Sequence, residues 1–301
     1  MKITVIGAGS FGRALAGLLR GKWGEDAVRV WRRGDDICSC LQDADFAVYA
    51  VPSQAFREVY SGSVAFLSPE TIVINAAKGI ELSTMKRLSQ VAEELGPGTR
   101  YVALSGPSHA EEIEQNLPTA VTVCSDDEDA ALKAQDLFMT DSFRVYTGRD
   151  MAGAEAGGAL KNVIALAAGI SDGLGYGDNT KAALMTRGMA EITRLGLAMG
   201  ADQETFLGLT GFGDLIVTCT SMHSRNRRCG ILLGQGVPAE EAIAQIGMVV
   251  EGASTARAAI RLAEKLGVDM PITAAVCAIL DGRVAPEEAV GMLMTRKRKP
   301  E

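Results

Sequence analysis

The chain opens with a short apolar stretch that runs directly into a glycine-rich turn and then into a helical pattern. Residues 3–6 read ITVI and residues 7–12 read GAGSFG, and the spacing of apolar residues over 11–19 predicts a helix. In such a unit Gly7 allows the tight turn, Gly9 lets backbone approach a pyrophosphate, and Gly12 lets helix and strand pack closely. A purely structural turn is the alternative, but the flanking strand and helix favour a dinucleotide site.

Strand and helix patterns alternate as far as residue 148. Strands are predicted at 3–6, 28–31, 46–51, 71–75, 101–104, 119–124 and 143–146, with helices at 11–19, 54–59, 84–95, 110–115 and 129–138. Ser108 is a candidate cap for the helix at 110–115, and its turn, residues 105–108, is equally a candidate to offer backbone donors to a ligand. This alternation predicts an α/β fold with a Rossmann-like, doubly wound sheet in residues 1–148.

The pattern changes after Gly148, where strand signals largely vanish. Helical periodicity is predicted at 152–170, 180–199, 225–233, 239–246, 254–266, 272–280 and 286–294. The sequence therefore predicts a second domain, all-α, over residues 149–301.

Two arginines end the second predicted strand. This position bears on the cofactor, because a carboxylate there holds the ribose 2′-OH of NAD and an arginine accommodates the 2′-phosphate of NADP. Arg32 and Arg33 favour NADPH, with NADH possible, unless they are simply exposed loop charges. Few residues separate this strand from the next, so at most a short helix fits between them.

Composition excludes several classes of protein. The net charge of −7 argues against broad attraction to nucleic acid. No run of 18 apolar residues could insert into a membrane, and the N-terminus is unlike a signal peptide. Six cysteines without a CxxC pair, and only two histidines, predict no metal site and no disulfide framework. We expect a soluble, cytoplasmic protein, whose basic tail at 296–299 is a solvated terminus or a binding patch.

A buried lysine is the strongest catalytic candidate. Residues 156–170 read AGGALKNVIALAAGI, in which Lys161 and Asn162 are the only polar side chains. A helix apolar on nearly every face is usually buried, and burial lowers the pKa of a lysine towards the range where it can donate a proton. The alternative is a lysine that reaches solvent along its aliphatic chain.

Other candidates lie at predicted loop and helix ends. Lys78 follows a strand at the edge where doubly wound sheets hold ligands. Ser224 suits a helix N-cap, with Arg225 and Asn226 in the first turn, which makes a good anion pocket. Asp214 is an ordinary cap or the carboxylate that orients Lys161. A nicotinamide site, a buried lysine and an anion pocket together predict reduction of a carbonyl on a small phosphorylated substrate.

Motifs along nearly the whole chain resemble those of the bacterial-type NAD(P)-dependent glycerol-3-phosphate dehydrogenase family. They are GAGSFG at 7–12, AVPS at 50–53, KGIE at 78–81, SGPSHA at 105–110, GALKNVIA at 158–165, DGLGYGDN at 172–179, TRGMAE at 186–191, GFGDLIVTC at 211–219, SRN at 224–226 and VEGASTA at 250–256. The resemblance implies reversible reduction of dihydroxyacetone phosphate to sn-glycerol 3-phosphate, a phospholipid precursor.

The resemblance also implies roles for individual residues. Lys161 would be the proton donor and acceptor, and Lys78 would contact substrate and cofactor. The substrate site would further contain Gly106, Ser108, Asp214, Ser224, Arg225 and Asn226, with Asn162 and Thr218 next to the catalytic groups. The cofactor would contact Ser10, Phe11, Arg32, Arg33, Ala110, Arg225, Val249 and Glu251 in addition to the glycine turn.

The sequence departs from the family pattern in two places. Relatives usually carry some thirty more residues between Arg33 and Asp43, which puts adenine-side contacts and cofactor preference in doubt. His109 stands where relatives usually have Phe. A β-hydroxyacid dehydrogenase is a second enzyme hypothesis, but those proteins separate the Lys and Asn that are adjacent here. A catalytically silent NADPH sensor is the non-enzymatic hypothesis, and the intact distal site argues against it. A homodimer is possible.

Overall fold

The computed structural model describes residues 1–298. The strands are β1 (Ile3–Ile6), β2 (Val28–Trp31), β3 (Phe46–Tyr49), β4 (Ile72–Asn75), β5 (Arg100–Ser105), β6 (Thr119–Cys124) and β7 (Phe143–Gly148). The helices among them are α1 (Ser10–Trp23), α2 (Ile37–Leu41), α3 (Phe56–Ser63), α4 (Leu88–Leu95), α5 (Ala110–Glu114) and α6 (Glu128–Phe138).

The seven strands form one sheet in the order β2-β1-β3-β4-β5-β6-β7. Strands β1 to β5 are parallel, β6 runs antiparallel to β5, and β7 runs parallel to β6. Side chains alternate between the two faces of the strands. One set packs against α1, α5 and α6, and the other packs against α2, α3 and α4. The predicted Rossmann-like, doubly wound sheet is confirmed.

The rest of the described chain is helical. Its helices are α7 (Met151–Gly173), α8 (Asp178–Ala198), α9 (Asp214–Thr220), α10 (Arg225–Gly234), α11 (Ala239–Ile246), α12 (Glu251–Leu266), α13 (Pro271–Leu280) and α14 (Pro286–Met294). Residues 149–298 contain no strand, as predicted. Helix α7 is the centre of this part, because its buried residues run from Gly153 to Ser171. No helix within residues 1–298 has the length and apolar character needed to cross a bilayer.

Two local predictions were wrong, and one helix was not predicted. The helix expected at 84–95 begins only at Leu88, because Ile80 and Arg87 form a bridge across a tight turn. Helix α5 has His109 rather than Ser108 as its N-cap, with no side-chain cap bond. Helix α9 was not predicted, since the glycines before it break the helical pattern into a short π-helical turn, Leu209–Gly213.

The crossover between β2 and β3 is short, as predicted. It contains only the five-residue helix α2. The guanidinium of Arg29 donates to the backbone carbonyls of Ser39, Cys40 and Gln42, which ties this segment to β2. Strands β2 and β3 still flank β1 in matching register, so the sheet is intact despite the brief connection.

Helices α7 and α10 meet at their backbones. A Cβ atom added at Gly169 would lie 2.0 Å from the carbonyl oxygen of Arg227, and one added at Gly230 would lie 2.1 Å from that of Leu166. Gly173 and Gly234 make the same kind of approach one turn further on. This glycine seam fixes the distance between the middle of α7 and the start of α10.

We expect Gly230→Ala to destabilise the protein, because the new methyl group must push the two helices apart. Overpacking of this kind costs about 1–3 kcal/mol in the free energy of unfolding, which urea denaturation measures. Gly17→Ala in α1 is the matched control, since a Cβ there meets nothing within 4 Å. Equal stability of the two variants would show that the seam does not constrain the helices.

Candidate active site

A cavity of about 370 Å³ lies where the carboxyl ends of the parallel strands face the helical part of the chain. The residues after β1, β3, β4 and β5 line one side, and α7, α9, α10 and the start of α12 line the other. Ligands of doubly wound folds bind at this edge, beside the point where the strand order reverses. Here that point is β1, between β2 and β3.

Most of the predicted site residues line this cavity. They are Gly9, Ser10, Phe11, Lys78, Ser108, Ala110, Lys161, Asn162, Thr218, Ser224, Arg225, Asn226, Val249 and Glu251. Gly106 and Asp214 lie beneath it and bind a lining residue, Lys78. Gly7 and Gly12 do not line the cavity; they pack against each other within the glycine turn. Arg32 and Arg33 are exposed at the end of β2, outside this lining.

The glycine turn has the shape that a pyrophosphate requires. Gly7 has a φ of +115°, and its position against Ala50 leaves no room for a side chain. A Cβ at Gly12 would lie 1.9 Å from the carbonyl oxygen of Gly7, so the helix packs closely on the turn. Gly9, the N-cap of α1, faces open space. The free N–H groups of the first turn of α1 therefore face the cavity, and these residues fit a dinucleotide.

Lys161 lies inside the cavity wall, not at the protein surface. Its side chain is 8 % exposed, and its ammonium group donates to Oδ1 of Asp214 and, at 2.9 Å, to the Thr218 hydroxyl. Thr218 in turn donates to the backbone carbonyl of Asp214, one helical turn earlier in α9. The short helix α9 therefore provides both groups that orient the lysine.

A second lysine shares the same carboxylate. Lys78 donates to Oδ2 of Asp214 at 2.8 Å and to the carbonyl of Gly106 at 2.8 Å. The Ser108 hydroxyl, expected to cap α5, instead donates to the Gly106 carbonyl and lies 3.4 Å from the Lys78 ammonium. Asp214 is thus a buried bridge between a residue of the sheet edge and a residue of α7.

These contacts determine the charge of the site. The pKa of Lys161 is lowered from its usual 10.5 to about 7, chiefly by burial; the charge of Asp214 opposes this shift and that of Lys78 adds to it. Burial alone would raise the pKa of Asp214, but the two ammonium groups hold it below its usual value. At neutral pH the carboxylate is therefore charged, and Lys161 exists in both protonation states, as an acid–base catalyst requires.

The other end of the cavity is built to hold an anion. Ser224 caps α10 by accepting a hydrogen bond from the backbone N–H of Arg227, as predicted. The amide of Asn226 donates to Oδ1 of Asn162 at 2.9 Å and accepts from the backbone N–H of Gly252 at 2.9 Å. This chain links α7, α10 and α12. Arg225 lies in the first turn of α10, where its guanidinium and the helix N-terminus both favour a phosphate.

Sequence reasoning gave no role to several residues at the site. Ser53 donates through its hydroxyl and its backbone N–H to the carboxylate of Glu251, so it fixes a predicted cofactor contact. His109, His223 and Arg228 also line the cavity. The AVPS motif contained the signal for Ser53. Periodicity gave none for the two histidines, which lie 114 residues apart in the chain and come together only in the fold.

Comparison with known proteins identifies the family. Residues 33–131 and 150–291 match the models described as the N-terminus and the C-terminus of NAD-dependent glycerol-3-phosphate dehydrogenase. The chain is 50 % identical over 330 residues to the glycerol-3-phosphate dehydrogenase, NAD(P)+, of Pelotomaculum thermopropionicum, covering 100 % of this chain and 95 % of that protein. The protein of the same name from Clostridium perfringens is 49 % identical over 327 residues, covering 100 % and 99 %.

The architecture agrees with these matches. A crystal structure of glycerol-3-phosphate dehydrogenase from Coxiella burnetii superposes with a TM-score of 0.93 at 34 % identity, covering 98 % of this chain and 99 % of that one. The alignment to the Pelotomaculum protein extends over 330 positions against 301 residues here, so this chain is the shorter. By sequence and by fold, the chain belongs to the NAD-dependent glycerol-3-phosphate dehydrogenase family.

Proposed function

We propose that this chain reversibly reduces dihydroxyacetone phosphate to sn-glycerol 3-phosphate with NADPH or NADH, and that it supplies glycerophospholipid synthesis. The family's reaction is the first support, since close relatives over the full length have this activity in their names. The observation that carries the proposal for this chain is the buried Lys161, held between Asp214 and Thr218 at the wall of a cavity with an anion pocket.

The roles of the residues follow from this geometry. Arg225, with the first turn of α10, binds the phosphate, and Lys161 faces the carbonyl oxygen. A bound nicotinamide cofactor supplies the hydride that the carbonyl carbon receives, and takes it back in the reverse direction. Lys161 gives a proton from its ammonium group to the oxygen as the C=O double bond becomes a C–O single bond. In the reverse direction the neutral amine removes that proton.

The cofactor is held from both halves of the chain. Gly9, Ser10 and Phe11 would hold the pyrophosphate, because the first turn of α1 presents its N–H groups there. Glu251, fixed by Ser53, and Val249 lie on the helical side. Lys78 and Ala110 line the same cavity and would contact the cofactor, and Lys78 would also contact the substrate. We also propose a division into domains at residue 148, supported by the change from sheet to helix between Gly148 and Met151.

The first experiment follows the absorbance of NADPH at 340 nm as dihydroxyacetone phosphate is added, with dihydroxyacetone as the control that lacks the phosphate. We expect oxidation that requires the phosphorylated ketone. Binding of NADPH without turnover of this substrate would favour the sensor hypothesis or another substrate. The Lys161 ammonium is a general acid for a ketone, so we do not expect turnover of a substrate without a carbonyl.

We predict tighter binding of NADPH than of NADH. Arg32 and Arg33 directly follow β2, at the position where an arginine would bind the 2′-phosphate. The variant Arg32→Ala/Arg33→Ala should lose NADPH affinity by roughly 10-fold or more, as charge-assisted hydrogen bonds are removed, while NADH affinity changes little. Fluorescence titration with both cofactors measures this. The Asp35 carboxylate, which accepts from the backbone N–H of Arg32 at 2.9 Å, favours NADH instead. If the unmodified protein bound NADH more tightly than NADPH, Asp35 and not the two arginines would determine the cofactor preference.

The cellular setting is also part of the proposal. All six cysteines are free, and Cys124, Cys219, Cys229 and Cys277 are buried, which supports a reducing, cytoplasmic compartment. A homodimer through the helical part is consistent with exposed apolar residues such as Met292 on α14 and Leu207. Of the basic tail, Lys299 lies outside the described residues. Arg296 forms an exposed ion pair with Asp269, which supports a solvated position for this part of the tail.

A further inference from the structure

The proposed substrate has a third polar group, which the residues assigned so far do not bind. Its phosphate belongs at Arg225 and its carbonyl oxygen at Lys161, and the remaining end is a hydroxymethyl group. A hydroxyl enclosed by protein needs an acceptor for its hydrogen, since an unsatisfied buried donor costs free energy. This inference therefore rests on the proposed function and asks which atom accepts that hydrogen bond.

The polar atoms around the reacting end are either donors only or already engaged in hydrogen bonds. The ammonium groups of Lys78 and Lys161 are donors only. The Thr218 hydroxyl already accepts from Lys161 and donates to the carbonyl of Asp214. The Ser108 hydroxyl donates to Gly106 and is approached by Lys78. Each of these groups is committed to holding the lysines in place.

His109 is the exception among the lining residues of this end. It stands between β5 and α5 and lines the cavity, and its Nε2 atom is buried without a hydrogen-bond partner among the described residues. A polar atom left in this state in a native protein usually has a functional reason. Among the described lining residues, only Arg228 also has such an atom, and its Nε is a donor that cannot accept this hydrogen bond.

In the neutral imidazole of His109, the nitrogen without a hydrogen is Nε2, which makes this atom an acceptor. The backbone of Val217 acts on the ring as a hydrogen-bond acceptor and raises its pKa, and Nε2 has no partner, so we place the ring hydrogen on Nδ1. Burial and the positive charge of Lys161 have the opposite effect and lower the pKa of His109. The ring is therefore neutral at physiological pH, with a free lone pair on Nε2.

The second histidine covers this ring from the helical side. His223 lies just before the N-cap of α10, and its ring centroid is 5.8 Å from that of His109. We propose that Nε2 of His109 accepts a hydrogen bond from the terminal hydroxyl of the substrate, so that this residue selects hydroxymethyl ketone phosphates over methyl ketone phosphates.

The test compares two substrates that differ only in this hydroxyl. They are dihydroxyacetone phosphate and hydroxyacetone phosphate, in which hydrogen replaces the hydroxyl group. We expect the unmodified enzyme to prefer the first in kcat/KM by about 10- to 100-fold, because the analogue leaves the acceptor unpaired. In His109→Phe the value for dihydroxyacetone phosphate should fall by about 10-fold or more, while the value for the analogue changes little.

Two further variants separate recognition from packing. His109→Gln offers an acceptor oxygen at similar reach and should recover part of the preference. His223→Phe changes the neighbouring ring without removing the acceptor and should keep the preference. An unchanged ratio between the two substrates in His109→Phe, or an equal loss on both, would overturn the inference. Failure of the unmodified enzyme to reduce either ketone would instead overturn the proposed function, and this inference with it.

Discussion

Replacing Lys161 by alanine should slow the reduction of dihydroxyacetone phosphate by about 10²- to 10⁴-fold in kcat, the usual effect of losing a general acid. The cavity has other cations, but Lys161 alone combines deep burial, two orienting partners and a pKa near 7. Binding of NADPH should persist, because the glycine turn lies in the other half of the chain. Steady-state kinetics and cofactor fluorescence measure the two effects separately.

The pH dependence of kcat/KM is a second test of the role of Lys161. In the reducing direction the ammonium form is required, so kcat/KM should fall as pH rises through about 7, and in the oxidising direction it should rise over the same range. Lys133→Ala removes an exposed lysine paired with Asp129 and serves as the control. We expect it to keep the turnover and the pH profile of the unmodified enzyme. Turnover near the unmodified level in Lys161→Ala would assign the proton transfer to another group.

The second large effect is expected from Asp214→Asn. This carboxyl group is buried and bridges two ammonium groups, so the amide leaves two positive charges beside a neutral side chain. Breaking a buried ion pair from one side costs about 3–5 kcal/mol in stability. Without the carboxylate the pKa of Lys161 should fall below its value of about 7, because the charge of Asp214 is what raises it. Reduction near pH 7.5 should therefore drop by at least ~10-fold and partly recover at lower pH.

Asp172→Asn provides the matched comparison. Asp172 is also a largely buried carboxylate, at the far end of α7, and it pairs with Lys181 and Arg227. Its loss should lower the free energy of unfolding without moving the pH profile of reduction. If Asp214→Asn behaved in the same way, losing stability but keeping the profile, Asp214 would be a structural group and not the regulator of the lysine's charge.

The sequence predicts the sheet and Lys161 for a clear physical reason. Strands β1 to β7 are short apolar runs bounded by turns, and Lys161 stands out because it and Asn162 are the only polar residues of an apolar helical stretch. Local patterns of this kind need no knowledge of distant partners. The cap at Ser224 follows equally from a local rule, and the structure has it.

What the sequence did not predict depends on contacts between distant segments. Lys78 and Asp214 are 136 positions apart in the chain. Their contact depends on α9, whose start could not be predicted because glycines precede it and interrupt the helical pattern. The meeting of His109 with His223 likewise depends on how the sheet edge faces the helices. The cap of α5 was misplaced by one residue, because Ser108 is used instead at the Gly106 carbonyl. Pairings of this kind are set by tertiary packing.

The brief crossover from β2 to β3 has a consequence for how such enzymes diversify. Because β2 and β3 keep their register on β1, residues 32–45 can shrink or grow without disturbing the strands that carry the catalytic groups. The same segment contains Arg32 and Arg33, the residues proposed to contact the adenosine end of the cofactor. A change in the length or residues of this segment can therefore alter the contacts proposed to set the preference for NADP or NAD, without moving Lys161 on α7 or Asp214 on α9.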